Sequence, residues 1–174
     1  MNEALQNLLT RRACRAYTGE QLAPEALDAI LEAGTFAPTG KGGQSPYIVV
    51  IQDAETVAEL EKLNAAALGN PEAHPFYGSP TVIVVFGNPD IPYCDADGNL
   101  VIGNLLNAAN AVGVDSCYIW RAREVFSSEA GIAYKKAWGV PENYVGIGLV
   151  ILGYGKPEGK RTPIPRKEGY VIRV

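Results

Sequence analysis

Histidine is almost missing from this sequence: His74 is the only one in 174 residues. Serine-hydrolase triads and histidine-based metal sites both depend on imidazole, and a single ring in the Pro-flanked segment NPEAHPF reads as a solvated loop residue. Cysteine is scarce too. Cys14, Cys94 and Cys117 are odd in number, widely spaced and form no C-x-x-C. That argues against a disulfide framework and a thiolate zinc site, and leaves three small buried apolar residues. Long apolar runs are lacking: the stretches at 82–86 and 147–152 are far too short to cross a bilayer. The start, MNEALQNLL, has neither the basic region nor the long apolar core of an export signal, so a cytoplasmic protein without membrane association is expected. Basic runs are few and the net charge is −4, which argues against a nucleic-acid partner. The common nucleotide signatures are missing. GKGGQS ends on Ser45 where a dinucleotide loop needs glycine, and Lys156 is followed by Pro157 where a phosphate loop needs Ser or Thr. No G-x-S-x-G occurs either.

What is present suits one domain over residues 1–174, long enough to bury a sizeable core. Helices are expected at about 2–11, with Asn2 as N-cap, at 24–36 with Pro24 in the first turn, and at 54–68. Two more are expected at about 98–113 and 127–138, the latter capped by Ser127 or Ser128. Strands are expected at 47–51, 80–87, 117–120 and 146–155. The 98–113 helix is apolar round most of its circumference (Leu100, Val101, Ile102, Leu105, Leu106, Ala108, Ala109, Val112), which predicts that a second subunit covers its outer face. The Pro-rich tail ends in a β-like run, Tyr170–Val174, with no core of its own to join, which suggests pairing on a partner. Strands and helices do not alternate strictly, so the class is α+β.

Two segments can carry chemistry. TRRACRAY places Arg11, Arg12 and Arg15 within five residues, and PRK adds Arg166 and Lys167 near the other end. Guanidinium groups bind phosphate through two parallel hydrogen bonds. The competing reading is that Arg11 and Arg12 complement a helix C-terminus while Arg166 and Lys167 are solvated tail charges. PTGKGGQSP (38–46) is either a glycine loop that lets backbone approach a ligand, with Gln44 both donating and accepting, or a helix C-cap and turn.

Taken together these segments resemble the nitroreductase family of FMN-dependent oxidoreductases. RRACRAY is similar to that family's early R-R-S-x-R pattern closed by an aromatic. APTGKGGQSPYIVVI (37–51) resembles its A-P-S/T-x-x-N-x-Q-P-W segment, and GNLLNAANAVGVDSCYI (103–119) its small-residue helix and following strand. LGYGKP (152–157) with PRKEGYV (165–171) resembles its closing segment. The four matches are collinear and span nearly the whole chain.

The resemblance implies a three-layer α+β fold with a mixed central sheet flanked by helices. It also implies a homodimer in which the C-terminal tail reaches the partner, and two FMN sites at the interface. Arg11, Arg12, Ala13 and Arg15 would face the flavin's phosphate, ribityl chain and pyrimidine edge. Pro38, Thr39, Gly40 and Gln44 would come from the other subunit. Backbone at Tyr118 and Ile119 would line the ring, and Arg166 and Lys167 would close on the phosphate. A cation near the pyrimidine edge favours hydride acceptance, so no side chain need act as nucleophile or base. The implied activity takes a hydride from NADH or NADPH and reduces a small electrophilic acceptor such as a nitroaromatic or quinone. Relatives that consume their flavin, remove halogen or oxidise heterocycles, and a flavin-binding protein without turnover, are the alternatives. Departures from the pattern are Ala13 in place of serine, Gly42 in place of asparagine and Tyr47 in place of tryptophan. Trp120 lies outside the pattern. It stacks near the flavin and shapes substrate access, or it is a half-buried core aromatic.

Overall fold

In the computed structural model, which describes residues 1–174, the strongest β-branched runs form the middle of one sheet. The strands are β1 (Tyr47–Ile51), β2 (Thr81–Gly87), β3 (Asp115–Ile119) and β4 (Val145–Gly153), in the order β1-β2-β4-β3. All three pairings are antiparallel. The mixed sheet that the resemblance implied is therefore corrected. The one parallel contact is an isolated bridge between Ala13 and Ser116, made by a segment that is not a strand of the sheet.

Every residue of β2 is buried, as is β4 beyond Val145, so both read as continuous apolar runs with no polar face. Alternation then divides their side chains between two cores. Val82, Val84, Phe86, Leu149 and Ile151 join Cys117 and Ile119 on one face. Ile83, Val85, Val150 and Leu152 point to the other. The register shifts between Val85 and Phe86, where Gly148 and Gly146 are successive partners on β4 and Ile147 is the extra residue. Ile147 accordingly packs on the second face.

Helices cover both faces, giving three layers. Helices α2 (Pro24–Thr35) and α4 (Cys94–Ala111) close the Ile83 side. Helix α3 (Ala54–Ala67) and α5 (Ala122–Ser127) close the Val84 side, with α6 (Glu129–Ala137) behind α5. Helix α1 (Glu3–Thr10) buries none of its residues. It is capped by Asn2, whose Oδ1 accepts from Leu5 N at 2.9 Å, and is tied to α4 by Asn7 Nδ2 donating to Asn107 O at 2.8 Å.

Several boundaries differ from expectation for identifiable reasons. Helix α4 begins four residues early, because Gly98 is not a break. A Cβ there would stand 2.7 Å from Ile147, so glycine lets the helix lie on β4. Helix α5 was not anticipated; at six residues it is shorter than two turns, too short for a helical period to register. Ser128 ends it and caps α6, accepting from Gly131 N at 3.1 Å. Around α4, Val101, Ile102, Leu105, Leu106 and Ala109 are buried, while Leu100 and Val112 remain exposed. The tail run Tyr170–Val174 forms no strand within the protomer and is exposed throughout. No helix is long and apolar enough to cross a membrane.

Leu149 sits fully buried on β4 between β2 and β3. Leu149→Ala is expected to lower unfolding free energy by about 3 kcal/mol. Urea denaturation measures this, and a loss under about 1 kcal/mol would contradict the packing described.

Candidate functional site

After α1 the chain runs extended across the outer edge of β3. Ala13 bridges Ser116, Cys14 bridges Lys160 and Tyr17 bridges Gly155. Cys14 N donates to Ser116 O and Arg15 N donates to Gly159 O, both at 2.9 Å. The Tyr17 hydroxyl donates to Cys14 O at 3.1 Å, and burial pushes this phenol far above its ordinary titration range. Cys14 lies against Gly155 and Gly159, where a Cβ would stand 2.5 and 2.9 Å from its sulfur. Glycine at both positions is what lets the post-β4 segment close over the N-terminal one.

This junction forms a cleft of about 260 Å³. Its lining includes Arg11, Arg12 and Ala13, Asp115 and Ser116 of β3, and Lys160 and Arg161. Lys160 Nζ is 3.3 Å from Asp115 Oδ2, which also accepts from Gly155 N at 3.0 Å. Four cations around one carboxylate leave the cleft net positive, suited to a dianion. Lys160 and Arg161 were not singled out from sequence. The signal was there, in GKRTP just beyond LGYGKP, but PRK further along carried the resemblance instead.

Arg12 serves both of the readings that the sequence left open. Its Nη1 donates to Leu9 O and Arg11 O at 2.7 Å, closing the end of α1. Its Nε is buried and has no partner. Arg15 is exposed and lies outside the cleft lining. Its charge acts on Cys117, whose thiol burial pushes up and Arg15 draws down.

The glycine loop is ordered by its own contacts. Thr39 Oγ1 accepts from Gln44 N at 3.0 Å, and Gly40 N donates to the buried Asp97 Oδ1 at 2.9 Å. Gly40 lies so close to the Tyr93 ring that no Cβ fits. Lys41 and Gln44 have φ of 55° and 47°, a left-handed conformation unusual for non-glycine residues. Pro38 and Gln44 are exposed, and none of Pro38, Thr39, Gly40 or Gln44 lines the arginine cleft of the same protomer. Next in the loop, Ser45 Oγ is buried without a partner, a residue the sequence reading passed over.

The remaining sequence-nominated positions are also separate from the cleft. Tyr118 is half-buried and Ile119 is buried at the end of β3. Arg166 Nε donates to Ile164 O at 3.1 Å, and Lys167 Nζ sits 5.2 Å from the Tyr170 ring centroid. Both occupy the exposed tail and neither meets Arg11 or Arg12 within one chain. Trp120 is 65% exposed, which overturns the core-aromatic reading.

This architecture has counterparts among solved structures. A nitroreductase with bound FMN from Bacteroides fragilis superposes with a TM-score of 0.92 at 27% identity, over the full length of both chains. Another with bound FMN, from Desulfitobacterium hafniense, gives 0.90 at 26% identity, over 100% of this chain and 99% of that one. A protein of Archaeoglobus fulgidus provisionally named NADH dehydrogenase/NAD(P)H nitroreductase is 30% identical over 164 residues, 91% of this chain and 88% of its own length. The sequence profile described as the Nitroreductase family matches residues 8–154, from the last turn of α1 through the arginine segment and all four strands to the residue after β4. With that span matched and the fold shared end to end, the chain belongs to the nitroreductase family.

Proposed function

We propose that this protein is an NAD(P)H-dependent FMN oxidoreductase that works as a homodimer and reduces a small electrophilic acceptor, a nitroaromatic or a quinone. One observation carries the reading. The buried side-chain polar atoms left without a hydrogen-bond partner are Arg12 Nε and Ser45 Oγ. One lies in the arginine segment and the other in the glycine loop, the two segments whose chemistry suits a phosphorylated ligand. An unpaired buried polar atom costs about 1–3 kcal/mol, so both segments are places where the protomer's own packing leaves polar groups incomplete.

The residues fit FMN. Arg11, Arg12, Lys160 and Arg161 suit its phosphate, and Asp115 holds Lys160 at the rim of the cleft. Arg15 stands on the same segment, where it suits the pyrimidine edge. When bound, FMN supplies the hydride-accepting ring that passes reducing equivalents from nicotinamide to the acceptor. The chain's own part is to bind and orient; no residue is assigned as general base. The relatives' names point the same way: FMN is bound in both solved structures, and the Archaeoglobus protein is named for NAD(P)H.

The two-chain assembly is supported by apolar surface that one protomer leaves uncovered. Leu5, Leu8 and Leu9 on α1, Leu100 on α4, Val112 just after it, and Ile164, Val171 and Ile172 in the tail are all exposed. In such an assembly Pro38, Thr39, Gly40 and Gln44, and with them Arg166 and Lys167, would complete the partner's site.

Three measurements test this. Purified protein is expected to show flavin absorption bands that bleach when NADH or NADPH is added without oxygen. A colourless protein, or bands that neither nicotinamide bleaches, would overturn the reading. Arg161→Ala is expected to weaken FMN binding about tenfold and riboflavin binding less than twofold, because riboflavin has no phosphate to lose. Equal losses for both would remove Arg161 from the phosphate site. Sedimentation equilibrium is expected to give twice the 18.6 kDa chain mass; a flavin-loaded monomer would sink the shared-site part.

A further inference from the structure

Trp120 is held in an unusual way. A tryptophan normally buries most of its large apolar surface, yet this one follows β3 with 65% of its surface open. It is fixed from two sides. Behind it, the Tyr118 ring lies stacked at 6.3 Å between centroids and 30° between planes. Tyr118 is itself immobilised, its hydroxyl 3.2 Å from Asn99 Oδ1 and 3.3 Å from Ile147 O, over Gly148, which leaves the ring its space.

The second support is the backbone. Arg121, the next residue, has φ of 78°, a left-handed conformation that non-glycine residues avoid unless their surroundings impose it. The imposing group is Asn64 on α3, which is fully buried. Its Nδ2 donates to Trp120 O at 2.8 Å, and its Oδ1 accepts from Arg121 Nε and Nη2 at 3.2 and 3.0 Å. One buried amide thus clamps the Trp120–Arg121 linkage from both ends. Beside the indole is a second cleft of about 300 Å³, lined by Asn99, Trp120, Arg121 and Ile147 with the Asp95–Arg123 ion pair at its rim.

The position of this platform relates it to the arginine cleft. Ser116, at the start of β3, lines that cleft, and Trp120 stands just past the strand's other end, about 13 Å away at the usual rise per residue. β3 is an edge strand, and the N-terminal segment bridges it at Ser116. A ligand anchored by its phosphate among the arginines and extending past the N-terminal segment toward the end of β3 would bring its far end beside Trp120.

We infer that Trp120 is the stacking surface of the acceptor subsite and selects planar aromatic acceptors, with Asn64 and Arg121 as the residues that position it. This rests on the FMN oxidoreductase reading above. A flat electron acceptor gains a face-to-face contact with the indole, worth about tenfold in affinity, that a compact inorganic acceptor does not.

The test compares Trp120→Ala and Trp120→Phe with the unaltered FMN-loaded enzyme. The ratio of kcat/KM for 1,4-naphthoquinone to that for ferricyanide is expected to fall about tenfold in the alanine variant and less than threefold in the phenylalanine variant. Without turnover, the Kd of 2-naphthoate, a flat and redox-inert probe followed by the perturbation of flavin absorbance, is expected to rise about tenfold in Trp120→Ala. Arg121→Gly keeps the left-handed turn but releases the Arg121 end of the clamp, and is expected to give about a threefold rise in the same Kd. An equal fall for both acceptors, or unaltered naphthoate binding, would overturn the inference. Loss of flavin bands in Trp120→Ala alone would overturn it too, by making Trp120 part of the cofactor site. A colourless unaltered enzyme would instead overturn the FMN reading beneath it.

Discussion

The pinning of residues 13–17 between β3 and the chain after β4 is the constraint on which the rest depends. Three short backbone bridges, to Ser116, Lys160 and Gly155, join parts of the chain a hundred or more residues apart. They work because Gly155 and Gly159 leave room for the Cys14 sulfur and the Ala16 backbone. Without that close approach, Arg11 and Arg12 would be the end of a solvated helix, and Lys160 and Arg161 the start of a tail. With it, cations from both ends of the chain converge over Asp115, which accepts from Gly155 and pairs with Lys160.

The sheet supplies the rigid base for that junction. Since both faces of β2 and β4 are covered, neighbouring residues on one strand serve different cores, and a one-residue slip would exchange them. The bulge at Val85/Phe86 uses this rule, turning Ile147 to the α4 side, where Gly98 receives it. β3 is consequently fixed in register against β4, and both its ends carry candidate chemistry: the cationic cleft at Ser116 and the clamped indole after Ile119.

Uncovered surface and unpaired atoms fall in a consistent pattern. Helix α1 buries nothing in its own protomer, and the last residues of the tail lie against no sheet edge. Arg12 Nε and Ser45 Oγ lack partners in the segments proposed to meet across two chains. The proposed shared site would cover the exposed leucines, which a single protomer leaves in water.

How much could be read in advance follows from the range of the forces involved. Local chemistry determined Asn2 as a cap, Pro24 at the start of α2, and the four strands to within about two residues, because caps and periodicity act over a few positions. Pattern over the whole chain determined the family, since collinear motifs add up where each alone is ambiguous. Helix α5 was too short to show a period, and the first turn of α4 before Gly98 was missed because only the fold sets that glycine against Ile147. The arginines were legible as a cluster, but not which cations would join them: Lys160 and Arg161 rather than Arg166 and Lys167 within one chain. Nor could sequence place Trp120 in solvent, because that position depends on an amide from α3 meeting a left-handed residue after β3. Sequence thus set which elements form and what charge they carry. Tertiary structure alone decided which of those charges meet, because the contacts that bring them together are made by backbone atoms and by glycines whose significance is the absence of a side chain.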